Sequence, residues 1–391
     1  MTEPATTQST LLTRVLHAET AGGATLLAGL LTALTWANLD PNSYHRLLSW
    51  SLPEMLQNWE IGTGYTFIVN GLMTLFFFAI GIELSRELRI GQLRDTRKAI
   101  APILSALGGM IGTALVISLL GWLFHNGPAR SSWGVPMATD VAFALGVLAL
   151  AGPRIPRELR IFLLTLAVAD DIFSVIALAL TGPHDPHVGW TLAAVAVALV
   201  VIKFARLMPT FLWVVVLIGE WLLFTKAGVE PSLAGVVIGL AVPFRTPESV
   251  GHRLEIPVML ASTWFALPLF AFVATGVTWS EITWDTTGWQ FGLFLFLARG
   301  AGKVIGIVGV VTLTRRAGIG LDTSLTRAMF TGMALLCAVG FTVPLLFAGN
   351  VLGAGSSHYL MATLSLMVAS LVCAIAGVAI LRRSTARVVA E

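Results

Sequence analysis

Apolar stretches of about 20 residues, the length a helix needs to cross a hydrocarbon core roughly 30 Å thick, recur from residue 21 almost to the end of this 391-residue chain. A chain built on that repeat has the bilayer as its solvent. Composition agrees: 56% of residues are hydrophobic and only 12% charged, against about 25% charged in an ordinary soluble domain. The sequence therefore predicts a single all-α polytopic membrane domain over residues 1–391, and excludes a soluble enzyme on an anchor. Residues 1–18 are polar and lack the apolar core and cleavage site of a signal peptide, so the mature chain is expected to start at residue 1 as a polar cytoplasmic N-terminus. Residues 382–391 are expected to form a cytoplasmic tail.

Twelve spans are expected, at 21–38, 64–84, 100–124, 136–152, 158–181, 188–204, 209–225, 231–244, 255–277, 288–314, 325–349 and 357–381. An even number puts both termini on one side, and Lys/Arg placement says which. With the termini inside, nineteen basic residues fall in inside loops and tails, whereas the outside loops hold only Arg46, Arg130 and Lys226. Both termini are therefore expected in the cytoplasm. The net charge of +3 reflects those loops and implies no nucleic-acid partner. The seven histidines show no zinc-type ligand spacing, Cys337 and Cys373 sit in apolar segments, and no cofactor is expected.

Two basic residues, Arg299 and Lys303, remain inside a span. An ionisable side chain at the bilayer centre costs on the order of 3 kcal/mol on insertion scales, so such residues mark ion paths or proton relays. Asp170 lies ten residues past Arg160, roughly 15 Å into the membrane at the helical rise. Lys303 lies twelve residues before Arg315, roughly 18 Å deep by the same measure, so the two can meet. Two adjacent carboxylates, Asp170 and Asp171, resist being ionised together in a low dielectric, and either a proton or a sodium ion relieves the same repulsion. Structural glue between helices is the bland alternative for this pair.

Asp140 sits in 136–146, PMATDVAFALG, whose Pro136, Thr139 and Asp140 all favour an interrupted helix, and 337–344, CAVGFTVP, is a second such segment. Interrupted helices in corresponding halves mark a transporter binding site. Facing N-terminal ends carry partial positive charge for Asp140 to balance, and facing C-terminal ends carry partial negative charge for Lys303 to balance. Thr139 is a candidate oxygen ligand for sodium beside the carboxylates. Glu220 is expected to snorkel or pair at the outer interface near Lys226. Arg299, one turn outward from Lys303, either pairs with an acid or shapes an outer funnel. Glu83, Arg86 and Glu87, at the inner end of the second span, are either a solvated cluster or a funnel-mouth sensor.

With these residues in view, the chain resembles the NhaA sodium/proton antiporters along nearly its whole length, a family that serves as a reference case for inverted-repeat transporters. The resemblance is carried by Ala21, Gly22 and Gly23, by 75–88 (LFFFAIGIELSREL), 138–148 (ATDVAFALGVL), 167–171 (AVADD), 228–235 (GVEPSLAG), 267–272 (LPLFAF), 302–306 (GKVIG) and 340–342 (GFT). It implies a twelve-helix fold with inverted repeats and broken, crossing fourth and eleventh helices. It implies electrogenic export of sodium or lithium against protons across a bacterial inner membrane, serving sodium and pH homeostasis. Asp171 and Asp170 would be the sodium or lithium ligands, with Lys303 paired to Asp170 and Thr139 and Asp140 at the broken helices. Glu83, Arg86, Glu87 and Glu255 fall in the pH-responsive region. Glu230 stands where some members carry a pH-linked histidine, and Asn70 where some carry an acid. Residues 51–63 match an outward hairpin through which members form homodimers. Arg299 and Glu220 lie outside the common pattern.

Other classes fit less well. A sodium-coupled symporter would need a solute. An intramembrane aspartyl protease would need two separated aspartates sharing a proton, which the lysine counter-ion opposes. A channel would need a symmetric filter or charged ring.

Overall fold

The computed structural model describes residues 5–53, 62–91, 96–152, 154–180, 187–246, 249–319 and 325–390. Among these the chain is helical, and its extended pairing amounts to one isolated antiparallel bridge between Ser51 and Thr63. In chain order the helices are α1 (Ala5–Leu39), α2 (Pro41–Leu48), α3 (Gly64–Arg89), α4 (Thr96–Leu123), α5 (Gly127–Ser131), α6 (Val141–Ala151), α7 (Arg157–Leu180) and α8 (Val188–Phe204). They continue with α9 (Thr210–Ala227), α10 (Leu233–Ala241), α11 (Val250–Ala274), α12 (Thr286–Arg316), α13 (Arg327–Leu336), α14 (Thr342–Leu352) and α15 (Ser357–Ala390).

Eight of these are long and apolar enough to cross a membrane: α1 over Gly22–Leu39, α3, α4 over Ala99–Leu123, α7, α9, α11, α12 and α15 over Ser357–Thr385. The other four expected spans correspond to shorter helices, α6, α8, α10 and the pair α13 and α14. Length and composition alone thus identify eight crossings. Helix also extends where a polar terminus and a tail were expected: α1 begins at Ala5 and α15 runs to Ala390. The base of the expected 51–63 hairpin is paired, with Gly64 N donating to Trp50 O and Leu52 N to Gly62 O, but residues 54–61 lie outside the described residues.

What faces outward is apolar. Leu115 and Leu119 of α4, Leu199 of α8, Leu207 between α8 and α9, and Phe211 of α9 are exposed, as expected where lipid rather than water meets the surface. Trp50, Trp122, Trp279 and Trp284 are exposed near helix ends, where amphipathic rings settle at the membrane–water boundary.

With lipid tails as apolar as leucine, helices associate by close packing, and small residues permit it. Gly108 and Gly112 of α4 meet Gly302 and Gly306 of α12 so closely that a Cβ on Gly302 would stand 2.7 Å from Thr113 Cα, and one on Gly306 would strike Gly108 O. This contact holds Lys303, between the two glycines of α12, against α4. The second tight pair is α3 with α10, where Gly81 and Gly239 abut.

Three helices contain wider π turns, at Phe67–Leu72 in α3, Ser262–Ala266 in α11 and Ala298–Gly302 in α12. The last immediately precedes Lys303 and changes the headings of the side chains on either side of it. Such bulges concentrate at functional sites.

Candidate functional site

Helix α7 carries Asp170 and Asp171 in its middle, among buried Leu163, Leu166, Ala167, Ala169 and Ser174. Lys303 Nζ donates to both oxygens of Asp170, at 2.9 and 3.1 Å, and both side chains are fully buried. Removing two charges from water costs several kcal/mol per ion, so a pair held this way must satisfy its own hydrogen bonds; Lys303 and Asp170 do so reciprocally. Asp171 differs. It keeps 9% exposure, and its carboxylate makes no hydrogen bond among the described residues. It lies within electrostatic reach of Asp170, Glu83, Asp140 and Lys303. The two adjacent acids are both buried but differ in setting, one neutralised by Lys303 and one without a hydrogen-bond partner among the described residues.

The two segments with interruption signals leave the helical path side by side. Residues 132–140 precede α6 without forming a helix, and 337–341 separate α13 from α14. They are joined through the backbone, Asp140 N donating to Val339 O at 3.1 Å. The Asp140 carboxylate accepts from Phe341 N, Thr342 N and Thr342 Oγ1, so a residue at the start of α6 caps the N-terminus of α14. Thr139 Oγ1 donates to Cys337 O at 2.6 Å, which makes Thr139 a tie between the segments.

The carbonyl ends are served differently from the expectation. Lys303 is committed to Asp170, and Arg299 takes the carbonyls instead: Nε donates to Ala338 O at 2.6 Å, and Nη2 to Ala138 O and Gly340 O, each at 3.0 Å. Arg299 is fully buried, and among the described residues it forms no ion pair with an acid. The physical reason is shape. A guanidinium presents five donors in a planar fork, enough to reach three carbonyls, whereas an ammonium is a compact point charge. The residue was visible in the sequence as an intramembrane cation, but the helix rule that puts i and i+4 on one face hid its partner, because a π turn lies between Arg299 and Lys303.

At the inner end of α3, Arg86 bonds Glu87 at 2.9 Å and Glu255 of α11 at 3.1 Å. Three of the four residues expected in that region thus touch. Glu83, one turn deeper, is exposed and lies within electrostatic reach of the same three groups and of Asp171. Glu230 makes its contacts elsewhere. It is buried, accepting from Ser232 Oγ at 2.8 Å and from Asn350 Nδ2 of α14 at 2.6 Å. Glu220 does not snorkel: it is fully buried, and neither carboxylate oxygen has a hydrogen-bond partner among the described residues. The helix carries it inward, on the side of Trp213 and Leu217.

Residues 13–381 match the family described as Na+/H+ antiporter 1. The chain belongs to that family. Among curated members, a Na+/H+ antiporter NhaA of Nocardia farcinica is 37% identical over 387 residues, 95% of this chain and 91% of its own. Na+/H+ antiporter NhaA 2 of Rhodococcus jostii is 36% identical, covering 98% and 94%. A Serratia proteamaculans NhaA is 32% identical, covering 97% and 99%. The resemblance to NhaA antiporters therefore holds, and several apolar helices in a member of this antiporter family make the chain a multi-pass membrane protein of a transporter family. Within the antiporter family frame, the described geometry brings together Asp170 and Lys303, Asp140 and Thr342, Thr139 and Cys337, and Arg86, Glu87 and Glu255.

Proposed function

We propose that this antiporter-family member exports sodium, or lithium, in exchange for protons, moving net charge, and so serves sodium and pH homeostasis in a bacterial inner membrane. The observation that carries the reading is the contrast on α7: a buried Asp170–Lys303 pair beside an Asp171 with no hydrogen-bond partner. A cation arriving at Asp171 is attracted by two carboxylates, and a proton on Asp171 removes that attraction, so the ions compete for one site. Sodium drawn between Asp171 and Asp170 displaces Lys303 Nζ, which is then left buried and unpaired and gives up its proton. One proton from Asp171 and one from Lys303 against one sodium makes the cycle electrogenic.

The approach from the cytoplasm runs past Glu255, Arg86, Glu87 and Glu83, whose mutual charges set how readily the path opens with pH. Glu230, between α9 and α10, adds a buried acid tied to Asn350 near the end of α14. Twelve spans with inverted repeats, the fourth and eleventh broken at 132–140 and 337–341, give a crossing that alternates access between the two sides. Both termini lie in the cytoplasm, as the basic residues require, and two copies associate through residues 51–63.

The test is proteoliposomes with an imposed pH gradient. Sodium or lithium added without any solute is expected to collapse the gradient saturably and to generate a current. A gradient that survives both ions but yields to an ionophore would refute exchange; a requirement for an organic solute would favour a symporter.

A further inference from the structure

Two intramembrane cations one turn apart on α12 face different partners. Among the described residues Lys303 donates hydrogen bonds to a carboxylate and Arg299 to carbonyls, and those carbonyls come from both interrupted segments: Ala138 from the first, Ala338 and Gly340 from the second. Asp140 does the converse on the other side of the crossing, accepting from the start of α14. A helix end carries roughly half an elementary charge; α6 and α14 both begin beside Asp140, so their amide ends amount to about one positive charge, while Arg299 reaches the carbonyl end of α13 and the turn carbonyl of Ala138, which are partly negative. One guanidinium and one carboxylate balance them. The packing leaves no slack for this arrangement: a Cβ on Gly340 would stand 2.5 Å from Arg299 Nη2 and 3.0 Å from Asp140 N.

We propose that Arg299 is a positioning residue for the exchange site, a fixed positive charge that balances the carbonyl ends of the crossing as Asp140 balances its amide ends, leaving Lys303 to act on Asp170 alone. Arginine suits the role because it keeps its charge throughout a cycle that moves protons. The consequence is a division of labour. Lys303 can lose Asp170 to an incoming cation, or lose its proton, without removing the charge that holds Thr139, Asp140 and Gly340 in place. A single lysine serving both tasks would loosen the crossing in the step that loads it.

The inference rests on sodium/proton exchange, and a double-mutant cycle separates the two. Arg299→Gln and Asp140→Asn, singly and together, are compared with Lys303→Gln and Asp140→Asn, reading the apparent KM for sodium in proteoliposomes and the thermal unfolding midpoint in detergent. Each of Arg299→Gln and Asp140→Asn is expected to raise KM by roughly tenfold, the double variant to be no worse than about twofold beyond the poorer single, and Lys303→Gln with Asp140→Asn to combine multiplicatively, as uncoupled sites do. The same pattern is expected in the unfolding midpoints. Multiplicative losses in KM, or additive losses in unfolding midpoint, for Arg299 with Asp140 would overturn the assignment. If Arg299→Gln does not insert, Arg299→Lys is the decisive variant: with charge kept but the three-carbonyl fork lost, it is expected to insert and to raise KM by less than about tenfold, and failure to insert or a larger rise would overturn the charge-balance role. A wild-type protein inert to sodium would defeat the exchange reading, while the unfolding cycle still decides the role of Arg299.

Discussion

Asp171 is the site residue with an unoccupied hydrogen-bonding capacity, and that is the property an exchangeable ligand needs. Replacing it by asparagine keeps the shape and removes the charge that sodium and protons compete for. Asp171→Asn is expected to insert normally and to lose sodium-driven proton movement in vesicles; full activity in that variant would remove Asp171 from the mechanism. Asp170 and Lys303 answer to a different test, because breaking a buried pair from one side costs about 3–5 kcal/mol, whereas removing both charges is often neutral. Lys303→Ala is therefore expected to lower the thermal unfolding midpoint in detergent and to change the charge moved per sodium more than the choice between sodium and lithium. Adding Asp170→Asn should restore the midpoint without restoring transport. A double variant as unstable as Lys303→Ala would mean that the lysine holds more than this carboxylate.

Among the elements, α12 does the most to place the site. Its glycines bring α4 into backbone contact, its π turn separates the headings of Arg299 and Lys303, and its apolar remainder keeps the cations in the interior. Gly306 has no room for a side chain against Gly108 O, so Gly306→Val is expected to separate the helices and destabilise the protein by more than about 2 kcal/mol, in the range of overpacked interiors. An unfolding midpoint equal to wild type would show that the contact is slack. The interrupted segments are joined by backbone and side-chain bonds rather than by a continuous helix, and irregular backbone at membrane depth persists only where protein or a cavity satisfies it. Asp140, Thr139, Arg299 and Ser370, which is bonded to Gly340, supply that satisfaction.

For the whole molecule, the asymmetry of nineteen basic residues against three predicts a topology that reporter fusions can read. A fluorescent domain at the C-terminus is expected to fold in the cytoplasm, while alkaline phosphatase fused after Lys226 is expected to be active outside; the reverse pattern would invert the orientation. Much of this was legible without coordinates. Hydropathy is a local property, so runs such as 158–181 and 288–314 located α7 and α12 to within a few residues, and the interruption signals in 136–146 and 337–344 overlap the non-helical stretches 132–140 and 337–341. The depth count brought Asp170 and Lys303 to one level because a helix converts residue number into distance. Three things were not legible. The partners of Arg299 depend on a π turn that no periodicity shows, the inward burial of Glu220 depends on how α9 is rotated, and the contacts of Glu230 depend on where α14 ends beside it. The sequence alone determined the solvent and the long helices and brought Asp170 and Lys303 to one level, because each follows from the chemistry of one segment against a bilayer. Only the tertiary structure decided that one cation serves the carboxylate and the other the crossing, because that choice is made by the rotation of one helix against three others.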